Sequence, residues 1–112
     1  MKLITAIVRP ETLDEVARTV TSHGGRGMTA AEVLGFGRQH GHLGADWHED
    51  DDAALLPKAR VDIVVPDDIA DDLLAAMVKS AWTGQIGDGK IWVTPVETVI
   101  RVRTSEQNES AI

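Results

Sequence analysis

Arg101 and Arg103 stand two residues apart in an apolar segment, Glu97 to Arg103, so on a strand their guanidinium groups share one face, opposite Ile100 and Val102. Planar guanidinium donors can hold phosphate oxygens two at a time, and Arg38 with Lys90 would complete a cationic pocket suited to a polyphosphate. A charge-guarded edge strand uses the same two arginines equally well. A second candidate is the run Thr83-Gly84-Gln85-Ile86-Gly87-Asp88-Gly89-Lys90, where glycines admit close approach of backbone N–H groups to phosphate and lysine adds a compact positive charge. A plain turn between a helix and a strand is the commoner use of such a stretch, and the Gly-Lys-Ser/Thr ending of a Walker A loop is missing.

The third candidate is the connection from Gly37 to Pro57, about twenty residues where hairpin loops run about two to five. It holds His40, His42 and His48, three of the four histidines, together with Trp47 and the acidic run Glu49-Asp50-Asp51-Asp52. With little to fill a core of its own, it is expected to move when nothing is bound. Imidazole and carboxylate together suit zinc or nickel, but the spacing matches no ligand motif, and a solvated acidic loop is the simpler reading. Trp47 suits a partner anchor, because tryptophan is enriched at interface hot spots, or it folds back on its own subunit. Trp82 and Trp92 flank the glycine run and read as packing residues.

The elements that must position these residues follow from hydrophobic spacing. Leu3 to Val8 is short, β-branched and apolar on both faces, and Pro10 ends it, so it reads as a buried strand. From Glu11 to His23 the residues Leu13, Val16, Ala17 and Val20 recur at helical spacing, and Gly24-Gly25 stops the pattern. Met28 to Phe36 and Arg60 to Val65 read as strands, the latter with Val61, Ile63 and Val65 on one face. Ile69, Leu73, Ala76 and Met77 mark a second helix after Pro66, with Asp67, Asp68, Asp71 and Asp72 toward its N-terminus, where the helix dipole favours negative charge. Ile91-Trp92-Val93 and then Glu97 to Arg103 supply further strands, and Ser105 to Ile112 reads as a polar tail that orders on contact.

The order β, α, β, β, α, β with a late extra β piece predicts an α+β, ferredoxin-like split βαβ sandwich: an antiparallel four-stranded sheet with two helices on one face. Apolar residues on both faces of the first and last strands call for a cover on the second face, best supplied by another copy of the chain. The 112 residues, 43% of them hydrophobic, suffice for a single domain over 1–112, with the long loop at 37–57, the glycine loop at 82–90 and the tail at 104–112. A formal net charge of -7 argues against nonspecific nucleic-acid or anionic-membrane binding. The absence of cysteine excludes thiol chemistry and suits the cytoplasm, and no stretch has the roughly 18 apolar residues that a membrane span needs.

Five segments, in order and at matching spacing, resemble the PII nitrogen-regulatory signalling proteins: Gly35-Phe36-Gly37-Arg38-Gln39-His40-Gly41-His42, Leu56-Pro57-Lys58, Val64-Val65-Pro66-Asp67, Thr83 to Ile91, and Val99-Ile100-Arg101-Val102-Arg103-Thr104. The resemblance covers nearly the whole chain. It implies a cytoplasmic homotrimer with ATP or ADP bound in the clefts between subunits, and it makes the long connection the T-loop. By resemblance, Thr29 and the backbone at Gly37 and Val64 line the adenine and ribose side. Arg38, Gly87, Asp88, Gly89, Lys90, Arg101 and Arg103 face phosphates, with Val102 between the two arginines. Gln39 matches the position that helps hold Mg2+ where 2-oxoglutarate assembles beside ATP, and Lys58 the position that meets a carboxylate of that ligand. An oxygen-seeking Mg2+ that uses triphosphate oxygens needs no all-protein cage.

The mechanism implied is a binding switch without catalysis: effectors bias the loop, and the loop tip from Trp47 and His48 through Glu49, Asp50, Asp51 and Asp52 meets a protein target, an ammonium transporter or a nitrogen-metabolism enzyme or regulator. The sequence departs from many relatives in having no tyrosine, since Asp51 stands where a modified tyrosine is found, and Glu49 stands where some carry a phosphorylated serine. Control by ligand alone is therefore expected. An adenine-nucleotide sensor for another role, such as bicarbonate or metal handling, is the alternative, and Gln39 and Lys58 favour the nitrogen reading. An enzyme is the least supported reading, because no nucleophile-base pair stands on rigid elements.

Overall fold

The computed structural model describes residues 1–37 and 54–112. The elements are β1 (Lys2–Val8), a 3-10 turn (Pro10–Thr12), α1 (Leu13–Ser22), β2 (Thr29–Gly35), β3 (Leu56–Val65), α2 (Asp67–Ala81), β4 (Gly89–Pro95) and a terminal 3-10 turn (Asn108–Ala111). The sheet has four strands in the order β2-β3-β1-β4, with each neighbouring pair antiparallel. This is the ferredoxin-like α+β arrangement that the element order predicts.

The two-residue period of the strands decides which side chains meet the helices. Ile4, Ala6 and Val8 of β1 lie opposite Ile63, Val61 and Ala59 of β3, and all six are buried. Val16 and Val20 of α1 and Leu73 and Met77 of α2 close the other side of this core. The helix stripe thus uses Val16 and Val20 as its buried positions, while Leu13 and Ala17 are half-buried. Pro10 opens the turn that leads into α1, where its missing N–H costs nothing. The Thr12 hydroxyl donates to the carbonyl of Arg9 at 2.9 Å.

The second face of the sheet is not wholly apolar. Thr5 is buried there and donates to Asp62 at 2.8 Å, and Arg60 donates to the same carboxylate at 3.0 Å. These bonds depress the Asp62 carboxyl below its ordinary range, the Arg60 bond first, against a smaller upward push from burial. Trp92 on β4 is in register with Thr5 and remains 42% exposed.

The segment from Glu97 to Arg103 is not the extra strand that its apolar residues suggested. It forms one isolated bridge, Ile100 to Gln107, and turns back on itself. The backbone N–H of Arg101 donates to Glu106 at 2.9 Å, that of Ser105 to Arg101 at 2.8 Å and that of Asn108 to Val99 at 2.7 Å. Ser105 and Asn108 adopt φ of 60° and 58°, left-handed conformations that no strand sustains. Local bonds satisfy the backbone here, so Ile100 and Val102 stay exposed instead of joining a sheet. The polar stretch after Ser105, read as a tail, carries the terminal 3-10 turn.

Among the described residues, no helix is long and apolar enough to cross a membrane. Leu73 is fully buried between α2 and the sheet. Leu73→Ala is expected to lower unfolding stability by about 2–5 kcal/mol, whereas Val78→Ala on the exposed side of α2 should stay within about 0.5 kcal/mol of the parent. Urea titrations of both variants check this.

Candidate functional site

One end of the sheet opens into a cleft of about 560 Å³, lined from β1 by Ile7, from the end of β2 by Gly35 to Gly37, from β3 by Lys58, and by the turn from Gly84 to Lys90. The turn joins α2 to β4, and its shape is fixed by one carboxylate. Asp88 accepts the backbone N–H of Thr83 at 2.7 Å, the N–H of Gly84 at 2.9 Å and the Thr83 hydroxyl. Arg9, just past the end of β1, donates from Nε to Asp88 at 2.9 Å and from Nη2 to the carbonyl of Ile86 at 2.8 Å. Lys58 donates from Nζ to the carbonyl of Gly87 at 2.9 Å.

The electrostatics follow from these contacts. Burial pushes the Asp88 carboxyl up, but the bonds from Thr83, Arg9 and Gly84 together outweigh it and hold the group far below the usual carboxylate range. Lys58 is pulled down by burial first and by the nearby Arg9 charge second, with Glu11 and Asp88 opposing. A lysine 9% exposed beside a guanidinium is an anion-seeking group. Gly89 has φ of 106°, and a Cβ there would stand 1.7 Å from the carbonyl oxygen of Ile7, so only glycine lets the turn enter β4 against β1.

The residues singled out in the sequence divide into groups. Gly37, Lys58, Gly87, Asp88, Gly89 and Lys90 come together in the cleft. The Asp88 carboxylate, however, is committed to the turn's own donors and Arg9. Val64 lies elsewhere, in a smaller pocket of about 280 Å³ shared with Arg26, Ile69, Glu109 and Ile112. Thr29 opens β2 opposite Asp62, away from the glycine turn. Arg101 pairs with Glu106 at 3.0 Å, Val102 is 96% exposed, and Arg103 is exposed. Because this segment is a turn, the two arginines do not share a strand face as expected.

Arg38 and Gln39 lie outside the described residues, as do the loop residues His40, His42, Trp47, His48, Glu49, Asp50, Asp51 and Asp52. Among the described residues, no cluster of three or more histidine, aspartate or glutamate side chains could hold a metal. Trp82, read as a packing residue, is 69% exposed, with its ring close over Gly84. Arg9 escaped the sequence reading. A lone guanidinium at the end of an apolar strand was the available signal, but its partner Asp88 lies 79 residues away.

The fold and site define a small split-βαβ protein with a cleft that combines a glycine turn with Lys58 and Lys90. The sequence model of the family described as Nitrogen regulatory protein P-II matches residues 1–106. The chain is 47% identical to the Nitrogen regulatory protein P-II of Haemophilus influenzae and 47% identical to the Nitrogen regulatory protein P-II 1 of Escherichia coli (strain K12). It is 48% identical to the Nitrogen regulatory protein P-II of Pasteurella multocida. Each match covers 100% of both chains. The chain belongs to the P-II family of nitrogen regulatory proteins.

The depressed Asp88 carboxyl sets a pH dependence. A folded-state pKa below the unfolded one contributes stability at pH above the ordinary carboxylate range and loses it as pH falls below about 4. The stability difference between the parent and Asp88→Asn is therefore expected to be largest near neutral pH and to shrink on acidification. Denaturant titrations at several pH values measure it.

Proposed function

We propose that this chain is a nitrogen-regulating signalling protein that binds ATP or ADP at the cleft and 2-oxoglutarate beside it, works as a cytoplasmic homotrimer, and has no catalytic step. The observation that carries the reading is the cleft at the glycine turn. Its size falls within the range of about 300–1,000 Å³ usual for small-molecule sites, and Lys58 and Lys90 offer positive charge in a net acidic chain. Gly84, Gly87 and Gly89 place no side chain between the backbone of the turn and a ligand, which suits phosphate oxygens.

The separation of the site residues supports a shared site. In register along β1, Val64 is level with Leu3 and Gly89 with Val8, five residues apart or roughly 16 Å at about 3.3 Å per residue. One chain therefore offers two half-sites. The glycine turn of one copy would face the Thr29, Val64, Arg101, Val102 and Arg103 region of the next, and a trimer closes three such contacts. Arg38 would join Lys90 on the phosphates, Gln39 would supply an oxygen to Mg2+, and Lys58 would meet a 2-oxoglutarate carboxylate. Mg2+ would supply neutralisation of phosphate charge, and this chain's part would be to hold and orient the ligands.

The output would pass through the loop at 37–57, whose roots adjoin the cleft at Gly37 and Lys58. Trp47 and the acidic residues after it are the proposed contact for an ammonium transporter or a nitrogen-metabolism enzyme or regulator. An effector shifts the loop only by its difference in affinity for the two loop states.

Calorimetric titration with ATP and ADP, each with and without Mg2+ and 2-oxoglutarate, tests the reading. ATP is expected to bind, and 2-oxoglutarate to bind only when Mg2+ and ATP are present. Light scattering should give about three times the 12.1 kDa chain mass. Nucleotide binding without any 2-oxoglutarate response would replace the nitrogen role with that of an adenine-nucleotide sensor for bicarbonate or metal handling.

A further inference from the structure

Three consecutive residues at the base of the glycine turn are each held by a cation from the sheet. Arg9 takes the Ile86 carbonyl and the Asp88 carboxylate, and Lys58 takes the Gly87 carbonyl between them. The two cations lie side by side, Arg9 just past the end of β1 and Lys58 on β3, since Val8 and Ala59 are in register and Arg9 and Lys58 each lie one residue beyond that pair. The Ile86 side chain is 63% exposed and does not anchor this part of the turn in an apolar core. From Ile86 to Asp88 the polar bonds from beneath set where the backbone points.

We infer that Arg9 is a positioning residue for this turn, holding its backbone in the shape that would meet phosphate. The inference rests on the nucleotide reading above for its functional meaning. Arg9 is fixed because its planar fork meets two acceptors at once, one of them the charged Asp88, at side-chain exposures of 15% and 21%. Lys58 adds one bond, to the neutral Gly87 carbonyl, and leaves the bonds to Ile86 and Asp88 to Arg9.

The test compares the full chain with Arg9→Met and Arg9→Lys by amide hydrogen exchange and by titration with ATP. Arg9→Lys keeps the charge and loses the fork. Exchange over residues 83–90 is expected to rise about 10-fold in Arg9→Met and to a lesser degree in Arg9→Lys, with β1 and β3 amides unchanged, and the ATP Kd is expected to rise about 10-fold in Arg9→Met. Unchanged exchange over 83–90 in Arg9→Met would overturn the inference. So would an increase spread evenly over the sheet, which marks a general loss of stability, or an Arg9→Lys variant identical to the parent, which removes the role of the fork. If the parent chain takes up no ATP, the nucleotide reading falls, and the exchange measurement, which needs no ligand, still decides the role of Arg9.

Discussion

The Asp88 carboxylate accepts the N–H groups of Thr83 and Gly84 and the guanidinium of Arg9, and in doing so ties the end of α2, the start of β4 and the end of β1 into one corner. Burial opposes the charge, and hydrogen bonds to the charged form more than repay it. Without that anion the turn would present its N–H groups to solvent in many arrangements. With it, the backbone between Gly84 and Lys90 has one shape, and the cleft has a floor. Gly89 adds a steric condition to the electrostatic one, because any side chain there would meet the Ile7 carbonyl.

The sheet serves two purposes on its two faces. The face under the helices is filled by Ile4, Val61, Ile63, Leu73 and Met77, and it supplies the stability. The other face carries Thr5, Lys58, Arg60 and Asp62, bonded to one another or to the glycine turn. Lys58 lies near the start of β3 and lines the cleft, so its position is set by the β3 register and not by a loop. A cation mounted on a strand is held more closely than one on a flexible connection.

Much of the fold was legible because it depends on local periodicity. Val61, Ile63 and Val65 announce a half-buried strand by their alternation, and Leu73 and Met77 announce a helix by their spacing. Periodicity misled at Val99 to Arg103, where apolar alternation met a tight turn: backbone bonds among Val99, Arg101, Glu106 and Asn108 took the place of sheet pairing. Arg9 was invisible for a different reason. Its meaning is its contact with Asp88, and a contact between residues 79 apart leaves no local pattern.

By itself, the sequence determined the element order, the buried faces of the strands and helices, the glycine turn and the types of residue available to a ligand, because these depend on neighbours within a few positions. Tertiary structure alone decided which of those residues share a site. Strand register carries Lys58 beneath Gly87 and leaves Val64 level with Leu3, five residues along β1 from the level of Gly89, and the closing turn at Arg101 withdraws that arginine toward Glu106. Such juxtapositions come from the global balance of burial and hydrogen bonding, in which no short window of residues contains both partners.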